Sequence, residues 1–460
     1  MPTRSLPPEI FKAYDIRGIV GKTLTPAIAH AIGQGLGTLA QQKAASTIAV
    51  GRDGRISSPE LAQALIEGIR ASGANAIDLG SVPTPLAYFA AHALGADSAV
   101  AVTGSHNPPD YNGFKMVIAG ETLAQEAIQA LRRRIEAMDF VTGAGAYQAS
   151  DVRERYIARV TSDVRLARPM RIVMDCGNGI AGAVAPELFT RLGATVIPLF
   201  CEVDGNFPNH HPDPSRPENL ADLIRAVREN DAELGIAFDG DGDRLGVVTR
   251  DGEIIYPDRQ LMLFAADVLR RVPGGLIVHD VKCTRLLRPW ITAHGGKPCM
   301  WNTGHALIKA KLKETGAPLA GEMSGHIFFK ERWYGFDDGL YAGARLLEIL
   351  ARHPDANPVL HALPQAVSTP ELNLRMAEGE PFRLIDELKK QAAFAGEVER
   401  VTLDGLRAEY SDGFGLARAS NTTPVVVLRF EADNEAALAR IQADFRRALS
   451  RIRPDLDFPF

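Results

Sequence analysis

The chain has 460 residues, of which 46% are hydrophobic and 23% are charged, so its length and composition fit about three ordinary globular domains. Its 51 Lys and Arg residues against 56 Asp and Glu residues give a net charge of −5, which supplies no electrostatic reason to bind nucleic acid. An anionic small-molecule substrate would therefore need locally clustered arginines or a metal ion.

The N-terminal segment and the cysteines favour a cytoplasmic protein. The first residues contain no apolar core of a signal peptide, and the longest uncharged stretch, residues 79–96, is interrupted by Pro83 and Pro85. We therefore expect neither export nor contact with a membrane. The four cysteines are widely spaced and form no C-x-x-C pair, which disfavours a zinc site and a disulfide framework and fits a reducing compartment.

One order of elements, strand, helix, strand, helix, strand, occurs three times along the chain. The first copy begins at TIAVGRDGR (47–55), the second at RIVMDCGNG (171–179) and the third at LIVHDVKCT (276–284). Short apolar strands that alternate with helices of about a dozen residues predict crossover connections and mostly parallel strands. In the first copy, Ser58 is predicted as a helix N-cap because Pro59 follows it.

The last part of the chain differs from these copies, because long charged helices alternate there with strands in an α+β order. We predict three tandem mixed-sheet α/β domains of similar topology, followed by a C-terminal α+β domain. The predicted domains span residues 1–151, 152–253, 254–365 and 366–460.

The final strand of each copy leads into a different polar loop. These loops are TGSHN (103–107), DGDGDR (239–244) and GEMSGH (321–326). Ligands of open α/β sheets bind at the carboxyl ends of strands. Three chemically different loops in equivalent positions suggest one composite site. One loop would supply a nucleophile, one would bind a metal ion and one would recognise the substrate.

The second of these loops is a predicted metal site. Asp239, Asp241 and Asp243 alternate with glycines, so their carboxylates can converge on one hard cation. The alternative is a solvated acidic turn, but three converging carboxylates repel one another without a cation. An EF-hand is excluded because Arg244 and Arg250 stand where its Gly and Glu belong. Oxygen ligands alone favour Mg²⁺, with a phosphate completing its coordination.

Two further stretches are candidates for ligand binding. Residues 177–182 form a G-x-G-x-x-G pattern with Glu202 after the next strand, as in dinucleotide-binding oxidoreductases. The pattern occurs in only one copy and leaves the other loops unexplained, so close packing of strand and helix is the favoured interpretation. Residues 418–424, RASNTTP, gather a guanidinium, hydroxyls and an amide suited to a phosphate dianion, with a capping turn as the alternative.

Six segments in one order resemble those of the α-D-phosphohexomutases, most closely the bacterial phosphomannomutase/phosphoglucomutase branch. They are FKAYDIRG (11–18), TGSHNPPDYNGFK (103–115), DGDGDR (239–244), DVKCT (280–284), GEMSGH (321–326) and RASNTTP (418–424). The resemblance covers essentially the whole chain. It implies four domains round a central cleft, a monomer, and hexose phosphates as small-molecule substrates.

The resemblance also assigns roles to residues at the matching positions. It implies a phosphoserine at Ser105, Mg²⁺ held by Asp239, Asp241, Asp243 and the Ser105 group, and Tyr14, Arg17, His106 and Lys115 lining that region. Arg244 would balance phosphoryl charge, and Lys282, His305, Glu322, Ser324 and His326 would contact the sugar or assist proton transfer. Arg418, Ser420, Asn421 and Thr422 would hold the phosphate that does not react.

The implied reaction interconverts hexose 1-phosphate and hexose 6-phosphate. A phosphoryl group on the serine passes to a sugar hydroxyl, and the 1,6-bisphosphate reorients and returns its other phosphate. Glucose 1,6-bisphosphate would act as activator. Alternatives are a phosphoglucosamine mutase, a metal-dependent sugar phosphatase and a non-catalytic sugar-phosphate sensor. Preference between glucose and mannose stays open.

Overall fold

The computed structural model describes residues 6–396, 398–421 and 423–460. The strands of these residues fall into sheets of seven, four, four and six strands, and each sheet takes its strands from one continuous stretch of the chain. The predicted fold class, three mixed-sheet α/β domains followed by an α+β domain, is confirmed. Within the described residues, no helix combines the length and apolar character needed to cross a membrane.

The first sheet mixes parallel and antiparallel strands. Its unit contains β1 (Ile16–Ile19), α1 (Pro26–Gln42), β2 (Thr47–Arg52), α2 (Ser58–Ala71), β3 (Asn75–Ser81), α3 (Thr84–Ala93), β4 (Ala99–Val102), β5 (Tyr111–Ile118), β6 (Glu121–Thr122), α4 (Glu126–Glu136) and β7 (Tyr147–Ala149). The strand order is β1-β5-β4-β2-β3-β7, with β6 on β5. Strands β4, β2, β3 and β7 run parallel, and β5 is antiparallel to β4.

The second and third sheets repeat the central part of the first with four strands each. The second unit contains α5 (Arg153–Asp163), β8 (Arg171–Asp175), α6 (Ala185–Arg191), β9 (Thr195–Leu199), α7 (Ala221–Glu229), β10 (Leu234–Phe238) and β11 (Leu245–Thr249). The third contains α8 (Pro257–Arg271), β12 (Leu276–Asp280), α9 (Leu287–Ala293), β13 (Lys297–Trp301), α10 (His305–Thr315), β14 (Leu319–Gly321), β15 (Ile327–Phe329), α11 (Gly339–Leu350) and α12 (Asn357–His361). Their strand orders are β11-β10-β8-β9 and β13-β12-β14-β15.

The fourth sheet is antiparallel, and its two helices do not alternate regularly with the strands. The unit contains β16 (Val367–Ser368), β17 (Leu372–Arg375), α13 (Glu380–Gln391), β18 (Glu399–Val401), β19 (Leu406–Tyr410), β20 (Gly413–Ala419), β21 (Val425–Ala432) and α14 (Glu435–Ile452). Helix α14 buries Leu438, Ile441, Phe445 and Leu449 at intervals of three and four residues, which is the spacing of one helix face.

The repeated topology places three connections in equivalent positions. In each α/β unit a parallel strand turns back into an antiparallel neighbour: β4 into β5, β10 into β11 and β14 into β15. The connecting residues are 103–110, 239–244 and 322–326. The three polar loops of the sequence therefore occupy the same position of the fold, as predicted.

Apolar packing joins the first three units and leaves the fourth with a separate core. One buried cluster runs from Leu86 through Phe238 and Phe264 to Leu347, whereas the cluster of Leu374, Leu388, Phe430 and other residues lies entirely in the fourth unit. A small cluster of Val281, Phe414 and Leu416 bridges the third and fourth units. The fourth unit is thus attached to a larger continuous body.

Two local predictions have different outcomes. The N-cap prediction for Ser58 is wrong, because α2 begins at Ser58 itself and its hydroxyl donates to Asp53 Oδ1 at 2.5 Å. The Ser58 hydroxyl is bound to the buried Asp53 carboxylate and therefore does not accept a hydrogen bond from the helix backbone. The packing interpretation of the glycine-rich segment is confirmed at Gly182, where a Cβ atom would lie 2.0 Å from the carbonyl oxygen of Cys201.

Candidate active site

The loop between β4 and β5 holds Ser105 in a strained position. Its φ of 48° lies in the left-handed region, and the residue is 1% exposed. The Ser105 amide donates to Thr103 Oγ1 at 2.8 Å, and Thr103 Oγ1 donates in turn to Asp53 Oδ2 at 2.8 Å. These bonds fix the serine at the end of a buried strand.

Arg55 binds the backbone of this loop. It was not predicted as a site residue. Its guanidinium donates to the backbone oxygens of Ser105 at 2.8 Å, Asn107 at 2.6 Å, Pro108 at 2.5 Å and Tyr111 at 3.0 Å. Charged donors on four carbonyls hold the loop firmly. Its only sequence signal was its place at the end of the TIAVGRDGR strand motif.

Ser105 lies against the aspartate loop of the second unit. Its Oγ is 3.0 Å from Asp239 Oδ2, although the residues are 134 positions apart. Gly240 is needed here, because a Cβ atom at that position would lie 2.3 Å from the Ser105 carbonyl oxygen. The first and second loops therefore meet in direct contact.

The three aspartates form a cluster that suits a cation. Asp239, Asp241 and Asp243 are each 0% exposed, and each offers an oxygen within 4.8 Å of the others. Asp241 Oδ1 has no hydrogen-bond partner among the described residues, whereas Asp243 Oδ1 lies 3.3 Å from His326 Nε2. Buried carboxylate oxygens without partners are costly unless a cation completes the site, so the donor set fits a hard metal ion.

Lys115 lies on the other side of the same carboxylates. Its Nζ is 2.7 Å from Asp241 Oδ2 and 2.5 Å from Asp243 Oδ2. Burial alone would lower the pKa of Lys115, but the three aspartates outweigh burial and raise it, so the side chain stays charged. Burial and the two neighbouring carboxylates raise the pKa of Asp239. Lys115 balances part of the negative charge of the cluster, and Arg244 and His326 face the same carboxylates.

The N-terminal segment and the serine loop bring further polar groups to this region. Arg17 donates from Nη1 to Asn107 Oδ1 at 2.8 Å and pairs with Asp15 at 2.5 Å. His106 Nδ1 lies 3.2 Å from Ser105 Oγ. Burial, followed by the nearby arginines, lowers the pKa of His106, which therefore stays neutral beside the serine.

The third loop contacts the second loop through His326, which lies beside Arg244 and Asp243. The Leu245 amide donates to the Gly325 carbonyl at 3.2 Å, and Arg244 and His326 form a backbone bridge. His326 Nε2 is 3.3 Å from Asp243 Oδ1. Burial lowers the pKa of His326, but the Asp243 carboxylate outweighs burial and raises it to about 9.

Glu322 and Ser324 form the polar face of the third loop. Glu322 Oε1 accepts from the Gly304 amide at 3.1 Å, and its Oε2 accepts from the Ser324 hydroxyl at 3.1 Å. His305 begins α10 beside this pair, and neither of its ring nitrogens has a hydrogen-bond partner among the described residues. Tyr14 packs edge to face on His305 with ring centroids 5.8 Å apart.

Lys282 is placed by the connection to the fourth unit. Its Nζ is 2.9 Å from Glu371 Oε2. Burial lowers the pKa of Lys282, but Glu371 and Asp280 outweigh burial and raise it. Lys282 therefore keeps its positive charge at the boundary between the third and fourth units.

Arg418 brings the fourth unit to the same cleft. Its Nε donates to Asp404 Oδ2 at 3.0 Å, and that oxygen also accepts from the Thr303 amide of the third unit at 3.0 Å. Arg418 Nη2 is buried and has no hydrogen-bond partner among the described residues. Ser420 and Asn421 follow directly after β20. Thr422, also predicted here, lies outside the described residues.

Asp337 belongs to the site and was not predicted. Its carboxylate forms a second cluster of potential metal ligands with Asp243 and His326. Its Oδ1 also accepts a hydrogen bond from Lys309 Nζ at 2.9 Å. Nothing in the segment before α11 indicates this position from sequence alone, because Asp337 reaches the cleft only through the connection from β15 to α11.

The arrangement collects a buried hydroxyl, a cation-binding carboxylate cluster and a set of cationic side chains on facing loops. Transfer of a phosphoryl group needs positioned acceptors and charge stabilisation rather than covalent chemistry by the protein. Among the described residues, all predicted site residues lie on the three polar loops, on residues 418–421, or on segments that contact these stretches.

Four family profiles match the chain in sequence order. They describe the alpha/beta/alpha domains I, II and III of phosphoglucomutase/phosphomannomutase at residues 8–142, 154–252 and 256–367, and the C-terminal domain of the same family at residues 371–448. Together the four matches cover most of the chain.

Individual relatives are similar over nearly their whole length. A phosphomannomutase/phosphoglucomutase of Pseudomonas aeruginosa is 58% identical over 437 residues, 95% of this chain and 94% of that protein. A phosphoglucomutase of Neisseria meningitidis is 58% identical over 435 residues, 94% and 95% of the two chains. A crystal structure of a phosphoglucomutase/phosphomannomutase family protein from Burkholderia thailandensis superposes with a TM-score of 0.94 at 58% identity, covering 98% and 99% of the chains.

Proposed function

The chain belongs to the phosphoglucomutase/phosphomannomutase family and is a phosphohexomutase, and we propose that it interconverts the 1-phosphates and 6-phosphates of glucose and mannose. The observation that carries the proposal is the 3.0 Å contact between Ser105 Oγ and Asp239 Oδ2. It joins a hydroxyl that can carry a phosphoryl group to a carboxylate cluster that can hold a cation.

Ser105 carries the phosphoryl group in this proposal. The bond between its Oγ and phosphorus breaks as a sugar hydroxyl oxygen forms the new bond, while the hydroxyl gives up its proton and Ser105 Oγ takes one up. Arg17, Lys115 and Arg244 stabilise the charge on the phosphoryl oxygens, while His106 and His326 assist in proton transfer around the reacting oxygens. The left-handed backbone of the serine presents Oγ towards the second loop.

Asp239, Asp241 and Asp243, together with the Ser105 group, hold Mg²⁺ in this proposal. When bound, the ion would offset the charge of the phosphoryl group and of its attacking and leaving oxygens. The partnerless Oδ1 of Asp241 supports the assignment. Lys115 pairs with the same two aspartates through their other oxygens, so it can stay in place beside the ion.

The remaining residues recognise the substrate. Glu322 and Ser324 contact sugar hydroxyls, Lys282, His305 and His326 line the sugar site, and Tyr14, Arg418, Ser420, Asn421 and Thr422 hold the phosphate that does not react. The sugar must turn between the two transfers, because each end in turn faces Ser105. Glucose 1,6-bisphosphate restores the phosphoserine if the intermediate is lost and so acts as activator.

The fourth domain acts as a lid in this account. It has its own core, and a cavity of about 280 Å³ is lined by both the fourth domain and the N-terminal segment, with Lys12, Phe382 and Asn421 among the lining residues. Closure would limit water access and protect the phosphoserine from hydrolysis. Domain boundaries after residues 151, 253 and 365, a monomeric state and a cytoplasmic location complete the proposal.

An assay of purified protein tests the function. Glucose 1-phosphate, mannose 1-phosphate and glucosamine 1-phosphate are supplied with Mg²⁺ and a trace of glucose 1,6-bisphosphate, and the 6-phosphates are measured. We expect conversion of the first two, with a requirement for the metal. Exclusive turnover of glucosamine 1-phosphate, or release of inorganic phosphate instead of 6-phosphate, would contradict the proposal.

A further inference from the structure

Two cysteines of the second domain lie side by side outside the proposed phosphoryl-transfer machinery. Cys176 follows β8 and Cys201 follows the adjacent parallel strand β9, in which Asp175 pairs with Leu199. The two sulfur atoms are 3.4 Å apart, although the residues are 25 positions apart in the chain. Their wide spacing in sequence concealed this pair.

The sulfur atoms of these cysteines already lie in contact, so a disulfide needs only a small movement of the side chains. The sulfurs would approach from 3.4 Å to a bonding distance of about 2.05 Å. Cys283 and Cys299 offer no such pair: Cys283 Sγ contacts Asp280 Oδ1 at 3.1 Å, and Cys299 Sγ contacts the Met300 carbonyl at 4.0 Å.

The two thiols differ in access and in acidity. Cys201 is half-buried, whereas Cys176 is 0% exposed. The hydrogen bond with Cys176 lowers the pKa of Cys201, while that bond and burial raise the pKa of Cys176. An oxidant from solvent therefore meets Cys201 first, and the thiolate is the reactive form.

We propose that Cys176 and Cys201 form a reversible thiol–disulfide site that hydrogen peroxide oxidises. The Cys201 sulfur attacks a peroxide oxygen, the O–O bond breaks, and the leaving hydroxide takes the thiol proton to form water, giving a sulfenic acid. The Cys176 sulfur then attacks the Cys201 sulfur, the S–O bond breaks, and the Cys176 proton leaves with the hydroxide as water. Two thiols lose two electrons, which reduce one peroxide to two water molecules. External thiols reverse the bond by exchange.

The bridge would act on the catalytic loops through the segments that carry the cysteines. The turn after Cys176 contacts the aspartate loop, where the Ile180 amide donates to the Gly240 carbonyl at 3.1 Å. Gly240 in turn packs against the Ser105 carbonyl. Because displacements near 1 Å can cost a large factor in rate, oxidation is expected to slow the mutase several-fold.

Peptide mapping tests the chemistry without any assay of function. The protein is treated with peroxide, its remaining thiols are alkylated, and the digest is analysed by mass spectrometry. We expect one linked peptide pair joining Cys176 and Cys201, which dithiothreitol separates. Four free thiols after oxidation, a sulfinic acid on Cys201 with Cys176 unlinked, or a link through Cys283 or Cys299 would overturn the proposal.

Mutase kinetics test the consequence, and this readout rests on the proposed function. Peroxide should lower kcat several-fold in the wild type and in the control Cys299→Ser, with recovery in dithiothreitol, and should leave Cys201→Ser unaffected. Equal losses in Cys201→Ser, or full activity of the bridged wild type, would contradict the coupling. A protein without mutase activity before oxidation would refute the proposed function, while the peptide map would still decide on the disulfide.

Discussion

Ser105 Oγ and Asp239 Oδ2 lie 3.0 Å apart and join the first domain to the second. Gly240 allows this approach, and Arg55 holds the serine loop through its backbone carbonyls. Both residues are buried, so the contact between the two domains is shielded from solvent. The proposed transfer of a phosphoryl group through Ser105 depends on this contact.

The first prediction concerns the aspartate cluster. Asp241→Asn removes one charge from the three carboxylates, so Mg²⁺ affinity should fall at least about ten-fold. Activity measured against free Mg²⁺ concentration checks this, with Asp222→Asn as control because Asp222 pairs with Arg225 on the surface of α7. Full mutase activity after exhaustive chelation would point instead to a mechanism without metal.

Glu322 should contribute to the binding of both glucose and mannose phosphates. Its carboxylate accepts from Gly304 and Ser324 and can bind hydroxyls that glucose and mannose share. Glu322→Ala should lower kcat/KM for both 1-phosphates by a similar factor, roughly 10- to 100-fold, because a polar partner is lost. Exposed Glu314, which pairs with Lys311, provides the control Glu314→Ala. A loss confined to one epimer is the opposing result.

Arg418 should set the affinity for the phosphate that does not react. Asp404 holds its Nε and also binds the Thr303 amide, so the arginine is placed when the fourth domain contacts the third. Arg418→Ala should raise KM for both 1- and 6-phosphates roughly 10- to 100-fold, the effect of a charged hydrogen bond.

Small-angle scattering checks the lid in the same variant. Ligand should compact the wild-type protein and compact Arg418→Ala less, whereas Asp412→Ala, which breaks the exposed pair with Arg440, should behave as wild type. Identical scattering of the wild type with and without saturating ligand would remove closure from the mechanism.

Stability should depend on pH through Asp338, the N-cap of α11. Burial raises the pKa of its carboxyl to about 7, although bonds from Tyr341 and Tyr156 oppose the shift. The folded protein therefore binds this proton more tightly than the unfolded chain, whose pKa is about 3.9. The contribution of this group to the free energy of unfolding should fall as pH rises from about 4 to about 7.

Denaturant titrations of the wild type and of Asp338→Asn at several pH values check this dependence. The asparagine keeps an acceptor oxygen but cannot ionise, so the wild type should lose stability relative to the variant across that window. A difference between the two proteins that stays constant from pH 4 to pH 8 speaks against the shifted pKa.

The sequence predicted the three equivalent loops because local patterns encode them. Alternating glycines and aspartates mark residues 239–244, and the apolar strand before Ser105 marks the place of the serine loop. Repetition of strand and helix then fixes all three loops at the same end of their sheets.

Residues that support these loops could not be predicted in the same way. Arg55, Asp337 and Asp404 contact the site only after distant segments pack together, and no local pattern indicates these contacts. The Ser58 N-cap failed for a related reason, because a tertiary contact with Asp53 replaced the local one. Local rules identify the loops, whereas long-range contacts determine which side chains hold them.

Transfer of a labelled phosphoryl group tests the central claim most directly. The protein is labelled with ³²P from glucose 1,6-bisphosphate and then mixed with unlabelled glucose 1-phosphate, and the label on Ser105 and on sugar is followed in single turnover. We predict that label leaves Ser105 for sugar phosphate at least as fast as kcat, that Ser105→Ala takes up no label, and that Ser162→Ala, altered on the exposed side of α5, behaves as wild type. Label that stays on the protein while 6-phosphate accumulates would contradict the account.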